Sequence, residues 1–186
     1  MKTNTNTVVN ATKPFIKHQA PSQSGFGALE VMIALMIGAI VIIGAVVWYP
    51  KLTNNSNNGN ELENVSSLLT NTRQLKTASG YGAANTDLIP TLLNGGGIPD
   101  NMQKSGGAVF NSWDGAVTIK STGTGYTLTY GGLPPQNCIF LATKASNSST
   151  VTTSINGGAA TPGEITAVTA SGACSGATNT VTWAGR

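Results

Sequence analysis

Hydrophobic and polar positions along this chain follow three successive patterns. From Val31 to Tyr49, nineteen residues carry no charge, and apolar side chains fill every face instead of one stripe. A helix of roughly 20 apolar residues can cross the hydrocarbon core of a bilayer. One that is apolar all round is buried on every side, by lipid or by protein. Phe26 to Tyr49 would extend roughly 36 Å as a helix. Trp48 and Tyr49 stand where interfacial aromatics are expected. Gly38 and Gly44 interrupt the run and each weakens a helix by about 1 kcal/mol relative to Ala. Six apart, they do not make the small-residue pair that favours close helix dimers. Pro50 predicts a kink or a break.

The second pattern begins after a polar stretch. Lys51 to Asn60 is rich in Asn and Ser, and on composition reads as a loop or a frayed joint. From Glu61, the residues Leu62, Val65, Leu68, Leu69, Thr72 and Leu75 recur at three- and four-residue spacing, the stripe of a core-facing helix. Acids at its start and Arg73 and Lys76 at its end suit the helix dipole, and Ser79-Gly80-Tyr81-Gly82 stops it. Thr86-Asp87 caps a short helix over Leu88–Leu93, closed by Asn94 and three glycines. Those glycines lack the Gly-Lys-Ser/Thr and the preceding strand of a phosphate loop, and so read as a plain loop.

The third pattern is alternation. Ala116–Lys120 and Tyr126–Tyr130, split by a Gly/Thr/Ser turn, predict an antiparallel hairpin. Pro134-Pro135 starts a helix through Cys138–Leu141. Ser148–Ile155, Ile165–Thr169 and Thr180–Trp183 read as later strands. The fold class is α+β, a long hydrophobic N-terminal helix as a spine with an antiparallel sheet packed on its second half.

Charge then sets the orientation. Lys2, Lys13 and Lys17 precede Gly25 with no acid among them, whereas from Phe26 onward seven basic residues balance seven acidic ones. The positive pI thus belongs to the first segment, and the neutral body gives no case for nucleic-acid binding. Positive charge ahead of an apolar span keeps the N-terminus cytoplasmic and exports the rest. The two cysteines, Cys138 and Cys174, both lie in the exported part. One disulfide is the simplest reading there, and two unrelated buried thiols the alternative. A secretory signal fits poorly, because the apolar run exceeds 7–15 residues and carries Glu30 at its start; an uncut signal anchor also accounts for it.

Catalytic chemistry is sparse. The single histidine is His18, ahead of Gly25, so the exported part offers no Ser–His or Cys–His pair. Neither metal nor cofactor is implied. Glu61 and Glu63, two apart, face different sides of a helix. Trp113 and Trp183 suit core or interface positions better than a sugar platform.

Gly25-Phe26, with Glu30 the fifth residue counted from Phe26, followed by the long apolar run, resembles the type IV prepilin motif. The basic leader of 25 residues resembles the type IVb group, and the late cysteines, Ser79-Gly80-Tyr81-Gly82 and Trp113-Asp114-Gly115 look most like the thin conjugative pilins. Gly27 could end a leader, but Glu30 would then stand third, off the family pattern.

The resemblance implies the type IV pilin fold and three segments: a leader over residues 1–25, a transmembrane and assembly helix over 26–50, and an exported globular domain over 51–186 containing the disulfide-bounded region 138–174. It also implies a long helix through or near Lys51–Asn60, against their composition. Prepilin peptidase would cut between Gly25 and Phe26 and N-methylate Phe26. Glu30 would pair with the Phe26 amino group of a neighbouring subunit; the plainer reading is that it reaches the headgroup region from a helix end. Gly38 and Gly44 would bound a segment that loses helicity in the filament. The expected protein is the major subunit of a type IVb pilus, used for adhesion or conjugative contact. It would wait in the inner membrane of a Gram-negative bacterium, then be polymerised with copies of itself by the assembly machinery into an extracellular filament. A minor pilin or pseudopilin shares the motif, and a monomeric membrane-anchored adhesin is the rival of another class.

Overall fold

The computed structural model of the chain describes residues 27–145 and 151–186, with the backbone alone for residues 44–54. The leader, the Gly25–Phe26 junction and His18 lie outside these residues. The chain divides into two compact units, Met1–Val46 and Val47–Arg186.

One helix, α1 (Ala28–Gln74), runs through both. Its backbone is helical without interruption through Pro50 and across Lys51–Asn60. The break and the loop that composition predicts there do not form. Stopping and restarting a helix needs a second costly nucleus, whereas Pro and a few Asn in place impose only local penalties. A tertiary contact helps: the Asn137 side-chain amide donates to Asn58 Oδ1 at 2.7 Å.

In the second unit the predicted stripe is the buried face of α1. Val65, Leu68, Leu69 and Thr72 are buried, with Leu62 and Leu75 half-buried at its margins. The helix ends at Gln74, before the Thr77–Gly80 bridge. A six-residue α2 (Ile89–Asn94) follows, one residue later than the sequence suggests. Its N-cap is Leu88, with no side-chain cap bond, so the expected Thr86-Asp87 cap is not formed; Asp87, one residue ahead, accepts from the Ile89 N–H at 2.9 Å.

Seven strands make one sheet in the order β1-β2-β3-β4-β7-β5-β6, and every adjacent pair is antiparallel. The predicted hairpin is β3 (Ala116–Ser121) and β4 (Tyr126–Leu133), with Val117, Ile119, Tyr126, Leu128 and Tyr130 on the core side. A register shift between Tyr130 and Leu133 bends the end of β4, using Gly132 at φ 68°. The chain then enters α3 (Pro135–Lys144). β7 (Asn179–Gly185) inserts between β4 and β5 (Thr152–Ile155), so the end of the described chain holds the middle of the sheet. Its Trp183 is fully buried, edge-on to Tyr130 at 5.6 Å between ring centres, which makes it a core residue and removes it from any sugar platform.

Ile165–Thr169, read from its β-branched residues as a strand, instead leads into α4 (Ala167–Ala173). Thr166 caps that helix, its hydroxyl accepting from the Thr169 N–H at 3.3 Å, and small residues carry it on. The sheet edges are β1 (Gln103–Ser105), exposed throughout and paired with β2 (Ala108–Phe110), and the two-residue β6 (Thr161–Pro162).

Candidate functional site

In the first unit, α1 opens on an exposed Glu30 whose N–H donates to the Gly27 carbonyl at 2.9 Å. An acid in the first turn favours the helix N-terminus. Beyond it the helix is bare and apolar: Leu29, Met32, Leu35, Met36, Ile40 and Ile43 are each 64–75 % exposed. Contiguous exposure of this kind marks a surface for lipid or protein. Among the described residues no helix is long and apolar enough to cross a membrane. The side chains of residues 44–54, Trp48 and Tyr49 among them, lie outside those residues. Gly38 sits within the helix with open space where a Cβ would be. Gly44 is helical in backbone, and its surroundings are not among those described.

In the second unit the two predicted cysteines are brought together. Cys138 on α3 and Cys174 at the end of α4 form a disulfide with a Cα separation of 6.0 Å, and both are buried. The stretch between them is less peripheral than its Thr/Ser/Gly content suggests. It supplies the interior strand β5 and buried Leu141, Val151, Thr153, Ile155 and Ile165.

Sequence reasoning missed the polar fastening between α1 and the sheet. Glu61, placed by its pattern at a helix start, stands mid-helix and is 1 % exposed. Its Oε1 accepts from both the backbone N–H and the hydroxyl of Ser112, each at 2.7 Å. The Ser112 turn is itself braced. Asn111 Oδ1 accepts from the N–H groups of Trp113 and Gly115 at 3.0 Å, and its Nδ2 donates to the Gly131 carbonyl at 2.9 Å. Asp114 adopts φ 58°, and Gly115 lies so close to the Gly131 carbonyl that no side chain fits. The clue was available: Glu61 falls on the stripe of Val65, Leu68 and Thr72.

Tyr130 faces the same carboxylate. Burial, and then the charge of Glu61, push its phenol well above 10.0. Glu61 Oε2 and Tyr130 Oη, both buried, have no hydrogen-bond partner at ordinary geometry. Further along α1, Tyr126 Oη donates to the Leu69 carbonyl and Asn71 Nδ2 to the Gly97 carbonyl, at 2.9 and 2.8 Å.

Among the described residues no group of three His, Cys, Asp or Glu could hold a metal ion. An open cleft of about 560 Å³ lies where the β3–β4 turn meets the end of β7, lined by Thr122, Thr124, Thr152 and Arg186.

Over residues 29–43 α1 bares apolar side chains, and from residue 58 on the same helix is fastened into a disulfide-closed α+β head. Residues 55–186 match the family model described as PilS N terminal, and the chain belongs to this family of type IV pilins. The solved structure of a type IVb pilin from Salmonella typhi is similar over 67 % of this chain and 97 % of its own, at 26 % identity and a TM-score of 0.58. No curated protein sequence matches. The chain is thus a type IVb pilin, with the type IV pilin fold; pilins are structural proteins of an extracellular pilus, not enzymes.

Proposed function

We propose that this protein is the major structural subunit of a type IVb pilus, polymerised through α1 into a filament for adhesion or conjugative mating contact. The observation that carries this reading is the bare apolar face from Leu29 to Ile43, which a folded exported protein leaves uncovered only if something else covers it. In the prepilin the cover is the inner membrane, which the stretch running on to Tyr49 would span. In the filament it is the same face of neighbouring copies.

Prepilin peptidase cuts after Gly25, where a residue without a side chain lets the backbone enter a protease cleft, and Phe26 is N-methylated. Glu30 then meets the Phe26 amino group of the next subunit. Each charge alone is costly in an apolar core, and pairing removes both penalties. Gly38 to Gly44 is where the helix yields on packing.

Electron microscopy of sheared surface material, with mass spectrometry of its N-terminus, tests the reading. Filaments of this chain beginning at methylated Phe26 are expected; a cell-bound monomer beginning at Met1 would replace the reading with an anchored adhesin. Glu30→Gln should be cleaved and membrane-inserted yet absent from filaments, and normal filaments from it would end the pairing proposal.

A further inference from the structure

We propose that Glu61 is a register lock, a positioning residue that fixes which turn of α1 sits against the sheet. The apolar stripe alone specifies this weakly. A slide of three residues puts Leu62 in the place of Val65 and Val65 in the place of Leu68, aliphatic for aliphatic, although Ser66 then enters the place of Leu69. Such a slide moves a helix along its axis by close to one turn, about 5 Å. Aliphatic packing tolerates swaps of similar volume, so at the Val65 and Leu68 sites shape gives the native register only a modest preference.

The same slide carries Glu61 into the place of Asn64, which is 2 % exposed. There it leaves Ser112, and the two donors that meet Oε1 at 2.7 Å are left without it. A carboxylate buried without donors is among the most expensive errors a fold can make. A polar residue at one apolar-stripe position is a known way to fix helix register. The Ser112 turn is suited to the partner role. The Asn111 side chain makes two hydrogen bonds within it and a third to Gly131, and the absence of a Cβ at Gly115 lets it close against Gly131, so the donors have little freedom to follow a sliding helix.

If α1 builds the filament as proposed above, this lock gives every subunit the same head position on its helix. The lock itself is a property of the single chain and is tested there. Spin labels go on introduced cysteines at exposed Asn60 on α1 and, in separate samples, exposed Ser105 or Lys120 on the sheet; electron-resonance distances are read on the full chain in detergent. The native Glu61 and Glu61→Gln, which keeps the acceptor oxygen, should each give one distance per pair. Glu61→Leu, apolar and close in volume, should still melt cooperatively while showing a second population displaced by several ångströms. Ser112→Ala, which removes one donor, should show a smaller second population and serves if the leucine variant does not fold. A single native distance in every variant that folds would overturn the proposal, whether or not the protein forms filaments.

Discussion

The hydroxyl of Tyr126, on the second strand of the hairpin, donates to the backbone carbonyl of Leu69 in the body of α1 at 2.9 Å. The Tyr126 ring also meets Tyr81 edge-on at 5.2 Å between ring centres. Phe in its place keeps the ring contact and loses only the hydroxyl. Because Leu69 remains inside the helical ladder, Tyr126→Phe should cost about 1 kcal/mol, seen as a lower urea midpoint with unchanged slope.

Tyr130 predicts the alkaline limit of the head. Its phenol is held protonated in the folded state, by burial first and by the Glu61 charge second, above the 10.0 of an exposed tyrosine. The unfolded chain therefore releases this proton first as pH rises. Stability is unaffected below pH 10 and falls from there toward the raised value of the folded state. Tyr81 and Tyr126, also raised by burial, add to the fall. Denaturation midpoints at pH 9 and pH 11 should differ in the native chain and differ less in Tyr130→Phe.

The Cys138–Cys174 bond closes a loop with a sequence separation of 36 residues. In the chain-entropy account such a loop contributes roughly 3–4 kcal/mol. Reduction, or the Cys138→Ser/Cys174→Ser double variant, should lower the head's stability by that order. Because β5 lies inside the bridged stretch, protease cuts under reducing conditions are expected between residues 139 and 173 before elsewhere in the head.

Two glycines should respond with opposite sign. Gly59 lies within α1 with nothing within 4 Å of a would-be Cβ, so Gly59→Ala should stabilise by about 0.5–1 kcal/mol. At Gly115 a Cβ would overlap the Gly131 carbonyl, so Gly115→Ala should cost about 1–3 kcal/mol and disturb the Ser112 turn. Thermal melts of the two variants, side by side, check both signs.

What sequence could reveal depended on whether local preference and tertiary packing agreed. The hairpin was plain because Val117, Ile119, Leu128 and Tyr130 alternate and all four are buried. Thr86-Asp87 and Pro134-Pro135 mark their helix starts within a residue or two, since an Asp-centred turn and a proline at the first helical position are local chemistry. Asn55 to Asn60 went the other way. Poor helix formers are held helical by long helix on either side and by Asn137, 79 residues distant in sequence. β1 and β2, three residues each, are too short to show a period. Glu61 was legible as a residue on the stripe but not as a fastening, because its partner Ser112 lies 51 residues on and has no motif of its own.

The two margins of the sheet also bear on crowding. A strand left unpaired at high local concentration invites the same strand of another molecule, and that route ends in amyloid. Here one margin is β1, short and carrying Lys104, and the other is β6, two residues long with Pro162, which has no N–H to offer. Both margins thus offer little backbone for a strand of another molecule to extend. High local concentration of the folded head is therefore guarded at both ends of the sheet against strand-to-strand fusion.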